Sequence, residues 1–369
     1  MKPFVFSSLQ RVYPHLRSLY HRLSYAMPDG YALPFYTIRF ELTYRCNIRC
    51  RMCFISEYLR RYNLLSIHSS EDELTTEEIA RVIKQMPYRK SLAILTGGEI
   101  FIRDDIWEIL EHATQRVFCV LGTNATMINK EMAEDLIKLG VISLWIGLDG
   151  AEERHDFMRG EKGAFKKTTE GIRIIQDAKR RLGKNYPIIN TFTVMAKENI
   201  GDLTKVADLT EQMGVEKCFI EIYDTALDRF GGELSQQFPQ GRQRERYLMD
   251  EETLKVLRQQ LESIKKLPFR GTEFRTLPHE FNLEEIINYY RPGFTLPQRI
   301  CTVPWWLMRI SPKGDVYPCY NYPVGNVRNL SLRRIWQGRP YQEFRKVMKK
   351  GVVSACCGCN YLQSNQRSA

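Results

Sequence analysis

Between residues 36 and 226 the chain switches six times between strand-like and helix-like segments. No other feature constrains the fold as strongly. Strands are expected at Tyr36–Leu42, Ser91–Leu95, Val117–Gly122, Ser143–Leu148, Pro187–Met195 and Lys217–Ile222. Helices are expected from the Thr75-Thr76-Glu77-Glu78 capping box to about Met86, and at Ile106–Gln115, Asn129–Leu139, Phe165–Leu182 and Leu203–Met213. Strands that alternate with helices must run parallel, joined by crossovers. Six units are too few for a complete eight-stranded barrel. The expectation is an α/β fold, a partial (β/α)6 barrel, with an open doubly wound sheet as the alternative.

The flanks divide the rest. Residues 1–35 form an N-terminal lead-in whose Leu9, Val12, Tyr13, Leu16, Tyr20 and Leu23 recur at helical spacing. That stripe reads as a helix packed on the domain, or as a helix lying on a membrane surface. Residues 36–226 are the barrel, and 227–299 a polar linker followed by a helix. Residues 300–369 are a small C-terminal domain built on a β-hairpin, with its turn at Pro312–Gly314, and a helix. No apolar run reaches membrane-spanning length and no signal peptide opens the chain, so a cytoplasmic location, with peripheral membrane contact left open, is expected. Net charge is +11, concentrated in residues 1–61 (10 Lys/Arg against 3 Asp/Glu) and 328–350 (8 against 1). No nucleic-acid-binding motif accompanies it, so nucleic acid is not an expected partner.

Eight of the ten cysteines fall in two zones. Clustered cysteines without neighbouring histidines favour iron–sulfur over zinc. Cys46, Cys50 and Cys53 form Cys-x3-Cys-x2-Cys directly after the first strand. Three thiolates can hold three irons of a cubane and leave the fourth open to a small molecule. Thr96-Gly97-Gly98-Glu99 ends the second strand, Gly122-Thr123-Asn124 the third, and Asp149-Gly150 the fourth, which leads into Arg159-Gly160. Such strand ends are where ligands gather in barrel-like folds. Downstream, Cys301 and Cys319 flank the hairpin, and Cys356-Cys357-Gly358-Cys359 adds a Cys-x2-Cys pair.

On these motifs the chain resembles the radical S-adenosylmethionine (SAM) superfamily, in the subgroup with a C-terminal SPASM/Twitch auxiliary-cluster domain. The resemblance spans roughly residues 36–361. It implies a SAM-binding [4Fe-4S] cluster on Cys46, Cys50 and Cys53. It implies SAM contacts at Met52 (where the family usually has an aromatic), Gly97, Gly98, Glu99, Thr123, Asn124, Asp149 and Arg159. Cys301, Cys319, Cys356 and Cys359 would hold one auxiliary cluster, with Cys357 as an alternative to Cys356 and a zinc ribbon as the alternative centre. Cys119 and Cys218 read as core residues or as hydrogen-atom donors; Glu221 and Tyr223 are candidates to face substrate. The implied chemistry is reductive cleavage of SAM to a 5′-deoxyadenosyl radical, which takes a hydrogen atom from substrate. The reductant would be a flavodoxin or ferredoxin. About 35 residues precede the first strand, fewer than a leader-peptide-binding domain needs. A small molecule is therefore expected ahead of a peptide: a sugar, aminocyclitol or lipid-linked glycan, oxidised or epimerised. A peptide or protein maturase is the alternative, and a non-enzymatic electron carrier or scaffold comes last.

Overall fold

In a computed structural model, residues 16–62, 70–223, 247–296, 299–319, 322–352, 356, 359–361 and 363–364 are described. Seven strands run parallel in chain order: Thr37–Thr43 (β1), Leu92–Gly97 (β2), Phe118–Thr123 (β3), Ser143–Gly147 (β4), Ile188–Met195 (β5), Lys217–Ile222 (β6) and Glu273–Leu277 (β7). The sheet does not close. Beyond β1 it continues through Leu307–Ile310 (β9), which is parallel to β1, and then through antiparallel Asp315–Tyr317 (β10) and Gly325–Asn326 (β11). A separate pair joins Arg299–Ile300 (β8) to Gln363–Ser364 (β12).

The six expected strands are therefore present, in an open, partly wound barrel, and β7 is a seventh. It falls in a stretch where the sequence suggests only a linker and a helix, because Glu273-Phe274-Arg275-Thr276-Leu277 carries no apolar run. The hairpin lies where expected, turning through Gly314 at φ +89°. It extends the same sheet rather than starting its own.

Strand alternation splits each strand between two faces. Ile38, Phe40, Ala93, Leu95, Cys119, Leu121, Leu144 and Ile146 are buried against the helices. That core runs on without a break into Trp305, Leu307, Met308, Ile310, Trp336 and Tyr341 of the C-terminal region. A second core gathers β6 with the helices Glu251–Ile264 and Leu283–Tyr289. Cys119 and Cys218 sit in these two cores with no exposure, turned away from the opposite, concave face.

The lead-in docks differently from its apolar pattern. Residues 16–26 are helical, and 1–15, with Leu9, Val12 and Tyr13, lie outside the described residues. Leu16, Leu19 and Leu23 are exposed. The packed side is Tyr20, from that stripe, together with His21, Ser24 and Tyr25. Ser24 Oγ donates to the Trp305 carbonyl (3.1 Å) and accepts from Leu33 N–H (3.0 Å), and Tyr25 packs on Trp305. Among the described residues, no helix is long and apolar enough to cross a membrane.

Candidate active site at the strand ends

The loop after β1 carries Cys46, Cys50 and Cys53, and it is held from three directions. Gly98 N–H donates to Thr43 O (2.7 Å) and Glu99 N–H to Arg45 O (2.9 Å), which lays the chain after β2 against the loop. A Cβ on Gly98 would stand 2.0 Å from Arg45 O, so only glycine permits that approach. From another side, Arg51 N–H donates to Met158 O (2.8 Å), and its guanidinium lies 4.0 Å over the Phe157 ring. Gly160, at φ +64°, caps the helix Glu152–Arg159, and a Cβ there would strike Arg49 O. From β6, Tyr223 OH donates to Met52 O (2.8 Å). Beneath the loop, buried Glu73 accepts from Thr43 Oγ1 and from Arg45 and Arg103, and Arg103 also pairs with Asp105 (2.7 Å).

Glu99 is fully buried. It accepts from Thr123 Oγ1 (2.8 and 2.9 Å), Asn124 N–H (2.7 Å) and Phe101 N–H (3.2 Å). Burial raises its pKa against the opposing pull of those donors. Asn124 Nδ2 donates to Asn47 Oδ1 (2.8 Å) and lies 4.0 Å from Cys46 Sγ; Asn47 Nδ2 in turn donates to Thr126 Oγ1 (2.8 Å). The structure thus brings Gly97, Gly98, Glu99, Thr123 and Asn124 to one side of the cysteine loop.

Asp149 and Arg159 approach from the other side. Their carboxylate and guanidinium meet at 2.5 Å, Asp149 is fully buried, and Arg159 Nη1 lies 3.8 Å from Cys50 Sγ. Asp149 Oδ1 accepts from Val194 N–H, and Asp149 N–H donates to His155 Nδ1. Burial pushes the Cys46 thiol up to about 12 and the Cys50 thiol to about 11; at Cys50 the Arg159 charge opposes burial. A thiolate here calls for a cationic partner, which a cluster iron supplies. The all-thiol donor set on one loop fits such a cluster.

In the C-terminal zone Cys301 is buried. Its thiol is raised by burial and then by the charges of Cys359, Cys319 and Cys356, so each of those three stands within electrostatic reach of Cys301. Cys357 lies outside the described residues. Asn360, next to Cys359, donates from Nδ2 to Glu221 Oε2 (2.6 Å), which ties this zone to the end of β6. Several participants escape a reading of the sequence, among them Asn47, Glu73, Arg103, His155 and Gly147. Only Gly147 left a signal, as a glycine inside a strand. A Cβ there would stand 1.8 Å from Arg159 Nη2.

Comparison with known proteins agrees with this geometry. Residues 40–210 match the Radical SAM superfamily, and residues 301–360 match an iron–sulfur cluster-binding domain, SPASM. An AdoMet-dependent heme synthase from Methanosarcina barkeri is 30% identical over 88% of each chain. The mycofactocin maturase MftC of Mycolicibacterium smegmatis is 23% identical over 89% of this chain and 76% of its own. Streptococcus suis SuiB, solved with its precursor peptide SuiA, superposes with TM-score 0.60 at 15% identity, over 92% of this chain and 72% of its own. The likeness to the mycofactocin maturase corrects the expectation that put a small molecule ahead of a peptide as partner. That expectation rested on the length before the first strand, which does not report on substrate. The cofactors are the SAM-binding [4Fe-4S] cluster, SAM itself and an auxiliary iron–sulfur cluster. With its thiol loop after β1, its Gly-Gly-Glu after β2 and its second cysteine zone, the chain belongs to the radical SAM superfamily, among the members with a SPASM domain.

Proposed function

We propose that this radical SAM enzyme modifies a peptide or protein. Cys46, Cys50 and Cys53 hold the SAM-binding cluster, and Cys301, Cys319, Cys356 and Cys359 hold the auxiliary one. The observation that carries the reading is the span of the likeness to the mycofactocin maturase: it covers 89% of this chain, enough to run from the first cysteine zone into the second. When bound, cluster and SAM supply a carbon radical that removes a hydrogen atom from an unactivated C–H bond.

The chain's own residues do the rest. Glu99, kept in place by Thr123 and Asn124, offers an acceptor beside the cysteine loop for the SAM amino group. Gly97 and Gly98 keep that wall thin. Arg159, paired with Asp149, places positive charge beside Cys50. Met52, on the loop itself, packs against the second core, and its carbonyl is held by Tyr223. The oxidation or epimerisation expected from the sequence stays part of the proposal, now at a peptide carbon.

A second reading, modification of a metal-bearing tetrapyrrole, is favoured by the 30% identity to the heme synthase. Anaerobic incubation of reconstituted enzyme with SAM, dithionite and either a peptide library or iron coproporphyrin separates the two. A mass change in a peptide with 5′-deoxyadenosine formed is the expected result. Conversion of the porphyrin alone would replace the first reading by the second.

A further inference from the structure

The concave face carries a row of rings that neither apolar core absorbs. Trp145 on β4, Phe192 on β5 and Phe219 on β6 alternate with the buried, helix-facing residues Leu144, Ile146, Thr191, Thr193, Cys218 and Ile220. Each of the three rings is half-buried. Trp145 and Phe192 stand 5.4 Å apart at 50°, and Phe192 and Phe219 stack at 4.8 Å and 18°. His279, just after β7, ends the row 6.2 Å from Phe219. The strand register explains the contact between the phenylalanines, since Phe192 faces Phe219 across the β5–β6 pair.

The row's place matters more than its composition. Two residues beyond Trp145 on the same face is Gly147, over which the Arg159 guanidinium lies on its way to Cys50. Two residues beyond Phe219 is Glu221, bonded to Asn360 beside Cys359. The rings therefore floor the space between the two cysteine zones. Three large rings left half wet on one sheet face forgo burial that folding normally takes, and such surface is characteristic of a binding site.

We propose that this row receives an aromatic side chain of the peptide substrate and so sets the enzyme's substrate preference; the inference rests on the peptide reading above. The row is not flat. Trp145 tilts by 50° from the Phe192 plane, and Phe192 stacks on Phe219, so the row offers an incoming ring the uncovered edges of its rings, which suits one ring set edge-on against them rather than a flat macrocycle laid over a level floor.

The test uses reconstituted holoenzyme with SAM under anaerobic conditions. N-acetyl-phenylalaninamide, N-acetyl-tyrosinamide and N-acetyl-leucinamide are titrated while saturation-transfer NMR reads their binding. The two aromatic amides should bind roughly threefold to tenfold more tightly than the leucine amide. In F192L/F219L the preference should fall below about twofold, and in W145F, which keeps a ring, it should persist. Iron content and circular dichroism check that each variant is folded, and the single variants F192L and F219L, each expected to lose part of the preference, serve if the double variant is not. Equal binding of all three amides to the parent, or a preference untouched in loaded F192L/F219L, overturns the proposal. So does displacement of the amides by iron coproporphyrin that weakens in the same variant. Formation of 5′-deoxyadenosine and of modified peptide is read separately. Peptide conversion without aromatic preference sinks this inference alone, whereas preference without any peptide conversion sinks the functional reading.

Discussion

Two buried acids show how single residues serve the site. Glu99 sits without exposure among three donors, and burial still raises its pKa. The folded state therefore holds the Glu99 proton more tightly than the unfolded chain does. Its stabilising contribution is full below the ordinary glutamate value and is lost as pH climbs through the raised one. Urea unfolding of parent and E99Q between about pH 5 and 8 should show the parent losing ground to the variant as pH rises. A gap moving the other way would contradict the burial argument. Asp149 is bound to Arg159, and D149N would leave a guanidinium buried without its partner. That should cost about 3–5 kcal/mol, with D149N/R159M costing less than the two single changes summed. The same loss of negative charge beside Cys50 should raise the midpoint potential of the first cluster in an EPR-monitored titration, while R159M lowers it. Unmoved potentials in fully loaded variants would detach the pair from the cluster.

Elements were legible where their signals were local. The capping box at Thr75 forms as read: Glu78 N–H donates to Thr75 Oγ1, and Thr75 N–H donates to Glu78 Oε2. Cys-x3-Cys-x2-Cys and Gly-Gly-Glu could be read because each is a few adjacent residues. The contacts between distant segments could not: Gly147 under Arg159, Asn47 on Thr126, and Glu221 on Asn360 are products of strand order. β7 was missed because an edge strand can be short and polar. The lead-in helix misled for the opposite reason. Its leucine stripe is a strong pattern, yet the helix docks through a serine that bonds twice and through aromatic rings. Replacement of Leu16 and Leu23 by Gln should leave stability within about 0.5 kcal/mol. S24A should cost about 1 kcal/mol for each lost bond, read by thermal or urea unfolding. If the leucine changes cost more than S24A, the docking face is misassigned.

For the whole molecule, the C-terminal cysteine zone is part of the barrel's own sheet and core. β9 covers the edge of β1, and Trp305 and Trp336 are buried in the same apolar cluster as β1 to β4. Truncation after residue 299 should therefore unfold the barrel rather than release a stable one, and scanning calorimetry of the full chain should show a single main transition for that core. A soluble, cooperatively folded fragment ending at 299 would refute this. The arrangement also ties both cysteine zones to the end of β6, the first through Tyr223 on Met52 and the second through Glu221 on Asn360.

The claim on which the account depends is that the loop after β1 holds a cluster that opens SAM. Iron content and 5′-deoxyadenosine formation, measured together on anaerobically reconstituted parent and on C46A/C50A/C53A, test it most directly. About eight irons should fall to about four, with 5′-deoxyadenosine formed only by the parent. A loaded parent that never cleaves SAM, or a triple variant that still does, would contradict it.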